Sequence, residues 1–168
     1  MIRKGRNEDI PAIMKLVKDT VQIMKEEKSD QWDEKYPTVT IFENDAKNES
    51  LYVYEENGKV FGSITVDTNL PNEYHDISWR KKTSAYTFHR LVISAAARKK
   101  GMASSLIAYA EKIALQNNVP YMKIDTYSLN KKAQALFEKC GYVKAGEMAF
   151  HGKENPFYCY DKILTDQA

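Results

Sequence analysis

The sequence predicts one α/β domain (α+β by some schemes) built on a mixed sheet, and three observations carry that prediction. Apolar residues at helical spacing recur in separate stretches, β-rich runs lie between those stretches, and Asn57-Gly58 joins two of the runs as a hairpin turn. The length of 168 residues suits a single domain over the whole chain, 1–168, burying roughly 70% of the surface its unfolded form exposes.

Ile2–Lys4 reads as a short first strand. Asn7 is expected to cap the helix that follows, with Glu8 and Asp9 in its first turn, where carboxylates suit the helix dipole. Ile10, Ile13, Met14, Val17, Val21 and Met24 then build one apolar face, and the charged run 25–28 ends it. A second short helix is predicted over 38–46, with Val39 and Phe42 facing inward. Leu51–Glu56 and Lys59–Asp67 form an antiparallel hairpin, because Asn-Gly readily takes the positive φ angles of a type I′ turn.

A polar loop over 68–82 leads to a strand over 86–93 and a helix over about 100–116, whose face is Met102, Leu106, Ile107, Ala110, Ile113 and Ala114. A strand over 121–126 comes next, then a helix over Lys131–Lys139 that stops at Gly141, a natural left-handed C′ residue. Strands over 143–150 and Phe157–Ile163, joined by the turn-rich HGKENP, complete the chain.

The 25 basic and 23 acidic side chains leave a net charge of +2, so useful positive charge must be local and no nucleic-acid partner is expected. No apolar run is long enough to cross a bilayer, and MIRKGRNEDI lacks the apolar core of a signal peptide, so a cytoplasmic protein with no membrane partner is expected. Cys140 and Cys159 make neither a disulfide framework nor a zinc cage, and His75, His89 and His151 are scattered. No metal site is expected, and no phosphate-binding P-loop is present.

The most informative stretch is the run Arg98, Lys99 and Lys100 at the start of a predicted helix. Each cation opposes the helix dipole there, at a cost of about 0.3 to 1 kcal/mol. An anion among the free N–H groups reverses the sign, and Gly101, Ala103, Ser104 and Ser105 leave little bulk to keep a phosphate away. Strand, loop and helix N-terminus together read as a pyrophosphate cradle; the charge run alone favours a solvated loop, a reading that the spacing of the small residues weakens.

Two motifs then coincide. Arg98-Lys99-Lys100-Gly101-Met102-Ala103 fits the pattern [RQ]-x-x-G-x-[GA], and Asn130, Ala133, Leu136, Phe137, Gly141 and Tyr142 fit N-x-x-A-x-x-L-[YF]-x-x-x-G-[FY], with a strand between them. In motif and in order the chain resembles the GNAT superfamily of acyl-CoA-dependent N-acetyltransferases. The resemblance implies a twisted, mostly antiparallel sheet of about six or seven strands, helices on both faces, and a V-shaped splay between two central parallel strands.

It also implies acetyl-CoA as cofactor, with CoA as product. Backbone N–H groups of Lys99, Lys100, Gly101, Met102, Ala103 and Ser104 would hold the pyrophosphate, and Arg98 would add its charge. The pantetheine arm would pair with Leu91, Val92 and Ile93, a backbone N–H near Leu91 would polarise the thioester carbonyl, and Asn130 would bond near the pantetheine end while capping its helix. The implied reaction is direct attack of a primary amine, of a small molecule or a peptide, in a ternary complex.

An alkylamine of pKa about 10.4 must first lose a proton, and Asp125 and His89 are the candidate bases, each with a purely structural reading beside it. Family members often use a tyrosine as the acid where this chain has Phe137, so either Tyr127 substitutes or the thiolate leaves without an acid. Trp32, Tyr36 and Glu73, with Asp33, Glu34, Tyr74, His75 and Asp76, offer aromatic walls and carboxylates for a cationic acceptor; Trp32 and Tyr36 serve equally well as core. Two other readings stay open: a non-catalytic acyl-CoA-binding or regulatory module, and a phosphate patch of Arg80, Lys81, Lys82 and the Arg98 run. The open sheet edges leave room for a homodimer.

Overall fold

The computed structural model describes residues 1–97 and 101–165. They fall into two compact units, Met1–Val66 with Phe88–Tyr109, and Asp67–Thr87 with the chain from Ala110 onward. The described chain is mixed α/β, with two sheets whose registered ladders are antiparallel and four α-helices.

In the first unit, β1 (Ile2–Lys4), β2 (Leu51–Glu56), β3 (Lys59–Asp67) and β4 (Thr87–Ile93) form a sheet in that order. The β2–β3 hairpin turns at Asn57 (φ 52°) and Gly58 (φ 77°), the type I′ conformation expected of Asn-Gly. α1 (Ile10–Glu26) buries Ile10, Ile13, Leu16, Val17, Val21 and Met24 against Trp32, Phe42, Leu51, Val53 and Val92. The chain enters α1 differently from expectation: Asn7 is the first residue of a 3₁₀ turn, Asn7–Asp9, and not the cap. The cap position is Arg6, whose N–H donates to Asp9 Oδ2 at 2.8 Å, and Asp9 is further held by the Arg3 guanidinium through two 2.8 Å bonds.

α2 (Val39–Lys47) starts at Thr38, whose Oγ1 accepts from the Ile41 N–H at 3.4 Å. Phe42 is fully buried as expected, but Val39 is 47% exposed. The face that α2 turns inward runs through Phe42 and Asp45, three residues apart, because the Asp45 carboxylate has a buried cation to meet. α3 (Met102–Gln116) begins after Gly101, and its predicted face is buried except for half-buried Ile113.

In the second unit, β5 (Tyr121–Tyr127), β6 (Val143–Met148) and β7 (Phe157–Ile163) form an antiparallel sheet in the order β5-β7-β6. α4 (Lys131–Lys139) opens on the Asn130 side chain, which accepts from the Ala133 N–H at 3.1 Å. It closes with Gly141 at φ 93°, the Gly141 N–H on the Glu138 carbonyl and the Tyr142 N–H on the Phe137 carbonyl, both at 3.0 Å: a Schellman motif. β6 stops at Met148, two residues before its predicted end, where Phe150 turns its ring to Phe157 and His151 takes a left-handed backbone. The loop over 68–82 contains an unpredicted 3₁₀ turn, Asn72–Asp76. Tyr86 makes an isolated parallel bridge to Met122.

Candidate functional site

The sequence places its candidates on both units. In the first, Leu91, Val92 and Ile93 end β4; Val92 is buried in the core while Leu91 and Ile93 are half-buried. Close approach of β3 requires Gly62, where a Cβ would stand 2.6 Å from Ile93 Cδ1 and 3.0 Å from the Val92 carbonyl oxygen. A 3₁₀ turn, Ala95–Ala97, leads on, and Arg98, Lys99 and Lys100 lie outside the described residues.

Gly101 has φ 76° and is exposed, and among the described residues, its chain neighbours aside, no heavy atom lies within 4 Å of where its Cβ would be. Its carbonyl accepts both the Ser105 N–H and the Ser105 hydroxyl at 3.0 Å, so the helical ladder starts there. Met102 is buried and anchors the first turn, and Ala103 and Ser104 are half-buried. That turn carries no acidic residue. The leading N–H groups of an α-helix have no carbonyl four residues back to receive them, so a small-residue, acid-free start with an open left-handed glycine fits a phosphate group.

The first unit also holds a polar cluster that sequence reasoning missed. Arg90, in β4, has φ 51°. Its Nε and Nη2 donate to the two oxygens of Asp45 at 2.9 and 2.8 Å, and Nη1 donates to the Tyr36 hydroxyl at 3.1 Å. Thr65 donates to the same carboxylate at 2.8 Å, and the side chains of Arg90 and Asp45 are 14% and 10% exposed. Burial is the largest single influence and opposes the Arg90 charge, but the hydrogen bonds and charges of Asp45 and Tyr36 together outweigh it, so its pKa moves up. Ser63 lies two residues from Thr65 on the same face of β3, and its buried hydroxyl has no partner among the described residues. Tyr36 is therefore tied to β4, while Trp32, at 8% exposure, packs in the core. His89 is half-buried, beside Arg90 in the chain.

In the second unit Asp125 stands on β5 opposite Cys159 of β7 and accepts a 2.6 Å hydrogen bond from the Tyr74 hydroxyl. Tyr74 is on the 3₁₀ turn Asn72–Asp76, its ring 5.0 Å from that of Trp79, whose Nε1 donates to the Tyr74 carbonyl at 2.8 Å. Burial first, and the Asp125 charge next, raise the Tyr74 pKa well above the ordinary tyrosine value; the same two causes push the Cys159 thiol up to about 12. Lys123, two residues from Asp125 and on the same face of β5, has its pKa lowered by burial and sits 5.1 Å from the centre of the Trp79 ring. Tyr74, Trp79 and Lys123 had no motif to announce them; what joins them to Asp125 is strand periodicity and one turn in a long loop.

Tyr127 is fully buried, its ring 4.8 Å from Phe157 and its hydroxyl accepting from Asn155 at 3.4 Å. Phe137 is buried between Tyr142 and Tyr160. Glu73 is exposed, and Asn130 occupies its cap. The Arg80 fork is held by Asp161, with Nε and Nη2 at 2.7 and 2.6 Å from Oδ1. Among the described residues no cluster of His, Cys, Asp and Glu could hold a metal ion, and no helix is long and apolar enough to cross a membrane.

Comparison with known proteins decides the family. A model described as the acetyltransferase (GNAT) family matches residues 17–142. The chain belongs to the GNAT acetyltransferase family. A GNAT-family acetyltransferase of Streptococcus agalactiae 2603 aligns with a TM-score of 0.86 at 25% identity, over 99% of this chain and 96% of that one. A provisionally assigned acetyltransferase of Staphylococcus aureus Mu50 aligns with a TM-score of 0.78 at 34% identity, over 98% and 99%. The Escherichia coli streptothricin acetyltransferase is 34% identical over 103 residues, and the match spans 61% of this chain and 57% of that protein. A Salmonella typhimurium structure, solved with its cofactor acetyl-CoA, shares the GNAT fold with a TM-score of 0.72 at 16% identity, over 100% and 95%.

Proposed function

We propose that this GNAT-family chain, as one domain over 1–168, transfers an acetyl group from acetyl-CoA to a primary amine of a small molecule or peptide. The observation that carries the reading is the start of α3: an open left-handed Gly101, small residues at 103 to 105 and no acid in the first turn. The Salmonella typhimurium relative of the same fold, with its cofactor acetyl-CoA, supports the choice of acyl donor.

When bound, acetyl-CoA supplies an activated acyl carbonyl. Backbone N–H groups from Lys99 to Ser104 would hold its pyrophosphate and Arg98 would add its charge, residues 98–100 lying outside the described residues. Leu91, Val92 and Ile93 would offer backbone groups to the pantetheine arm, and a backbone N–H near Leu91 would polarise the acyl carbonyl. Asn130 adds a side-chain contact from its cap. Asp125, oriented by Tyr74, takes the proton from the acceptor ammonium, with half-buried His89 as the other candidate. On this reading Tyr36 and Trp32 of the first unit would offer aromatic surface, and Glu73 of the second a carboxylate, to a cationic acceptor. Either Tyr127 supplies the proton to the CoA sulfur, or the thiolate leaves without an acid, since an ordinary thiol has a pKa of about 8.5.

Isothermal titration of acetyl-CoA and CoA into the purified protein tests the reading, beside a Gly101→Trp variant. The expected result is micromolar binding that the variant loses with its circular dichroism unchanged; no binding by the wild type refutes the proposal. Phe137, buried where other members carry a tyrosine, favours a second reading as a non-catalytic acyl-CoA sensor. A sensor binds CoA and releases no thiol with any amine of a broad panel.

A further inference from the structure

The Asp45–Arg90–Tyr36 cluster is costly. A non-glycine residue in the left-handed region loses about 1 to 2 kcal/mol, and a buried ion pair gains little over apolar residues of the same volume. Stability alone does not explain a charged side chain at φ 51° within the sequence Thr87–Ile93 of β4. Its geometry suggests another purpose. The Asp45 carboxylate grips the Nε–Nη2 edge of the guanidinium with both oxygens, Tyr36 takes a third donor on the other side, and Thr65 of β3 holds Asp45 from the neighbouring strand. A planar fork gripped on two sides has little torsional freedom, so the clamp holds the backbone that carries it. The residue next along that backbone is Leu91, and the torsions of residue 90 set the direction of the Leu91 N–H.

We infer that Arg90, clamped by Asp45 and Tyr36, is a positioning residue that holds β4 in its left-handed kink and thereby aims the Leu91 N–H at the acyl carbonyl. This rests on the proposed use of acetyl-CoA. The kink re-aims one ladder N–H in the way that bulges redirect groups next to active sites. The clamp supplies from side chains what a glycine would supply from conformational freedom, and it does so while filling the space beneath the strand.

Two double variants separate positioning from packing, because they rank oppositely. Asp45→Asn/Arg90→Gly removes the ion pair and leaves the larger void, but glycine accepts the left-handed backbone. Asp45→Asn/Arg90→Val removes the same ion pair and leaves the smaller void, but a β-branched residue resists that backbone. The readout is the Leu91 amide resonance in 15N-labelled protein with CoA and with acetyl-CoA, beside CoA affinity and thiol release to spermidine and a free-amine tripeptide. In the wild type and the glycine double variant, acetyl-CoA is expected to move the Leu91 amide relative to CoA. In the valine double variant that difference disappears and transfer slows by about tenfold or more, with CoA affinity within about threefold. Where the valine double variant does not fold, Arg90→Lys takes its place, since a point charge lacks the planar fork, with the same loss expected.

A valine double variant that keeps the Leu91 response, or a folded glycine double variant that loses it as fully as the valine one, overturns the inference. A wild type that binds CoA but whose Leu91 amide does not distinguish acetyl-CoA overturns it alone. A wild type that binds no CoA overturns the proposed function, and this inference with it.

Discussion

The Tyr74 hydroxyl lies 2.6 Å from Asp125 Oδ2 and donates to it, joining the 3₁₀ turn Asn72–Asp76 to the middle of β5. A loop that the sequence offered only as a source of acceptor contacts thus also orients the proposed base. Tyr74→Phe removes that single donor and keeps the ring against Trp79. The expected loss is on the order of 1 to 3 kcal/mol in stability, read from urea titration, with slower acetyl transfer and unchanged CoA affinity. Full activity in the variant would remove Tyr74 from the site.

Only one of the two cysteines should be reactive in the folded protein. Cys159 is fully buried, and burial, followed by the nearby Asp125 charge, pushes its pKa up to about 12; Cys140 is half-exposed. An aromatic disulfide reagent at pH 8 is expected to label Cys140 alone until denaturant is added. Two fast equivalents would show that β7 opens readily. The outcome also sets the background for any assay that counts CoA thiols.

Asp9 makes stability fall in acid. Its hydrogen bond from Arg3 is the largest cause holding its pKa below the ordinary carboxylate value, so the folded state binds the proton less tightly than the unfolded chain does. The stabilisation is complete above the unfolded value of about 4 and is lost as pH falls through the lower folded value. Asp9→Asn should be less stable than wild type at pH 7 and should converge with it toward pH 2, followed by thermal melting. Parallel curves would mean that the ionisation of Asp9 contributes nothing to stability.

Trp32 is 8% exposed among Ile13, Phe42 and Val53. Trp32→Ala is expected to cost about 3 to 5 kcal/mol, as a large aromatic removed from a packed core does. A variant of native stability with a raised acceptor KM would instead make the indole a wall of the acceptor site.

What was legible was local. Asn57-Gly58 names its turn, Asn130 and Gly141 bracket α4 with a cap and a Schellman motif, and the Ile10 to Met24 periodicity marks the stripe that α1 buries. Each of these signals is set by residues a few positions apart, where sterics and one or two hydrogen bonds decide. The start of α1 misled for the same reason: Asn7 is a good cap by type, but it enters a 3₁₀ turn whose cap position is Arg6, and Asp9, held by Arg3 of β1, reaches back to the Arg6 N–H.

Residue order alone carried the fold class, the succession of elements, the family motifs around Gly101 and Asn130, and the acyl-CoA chemistry those motifs imply. It did not carry the meeting of Arg90 with Asp45 and Tyr36, that of Tyr74 with Asp125, the place of Trp32 in the core, or the capture of Arg80 by Asp161. These partners are brought together only by folding. Arg90 and Asp45 are 45 residues apart in sequence and Tyr74 and Asp125 are 51 apart, and no spacing rule pairs charges across such distances. Burial makes those pairs matter, because a charge taken from water must find its partner in the fold or go unpaired at a cost of several kcal/mol.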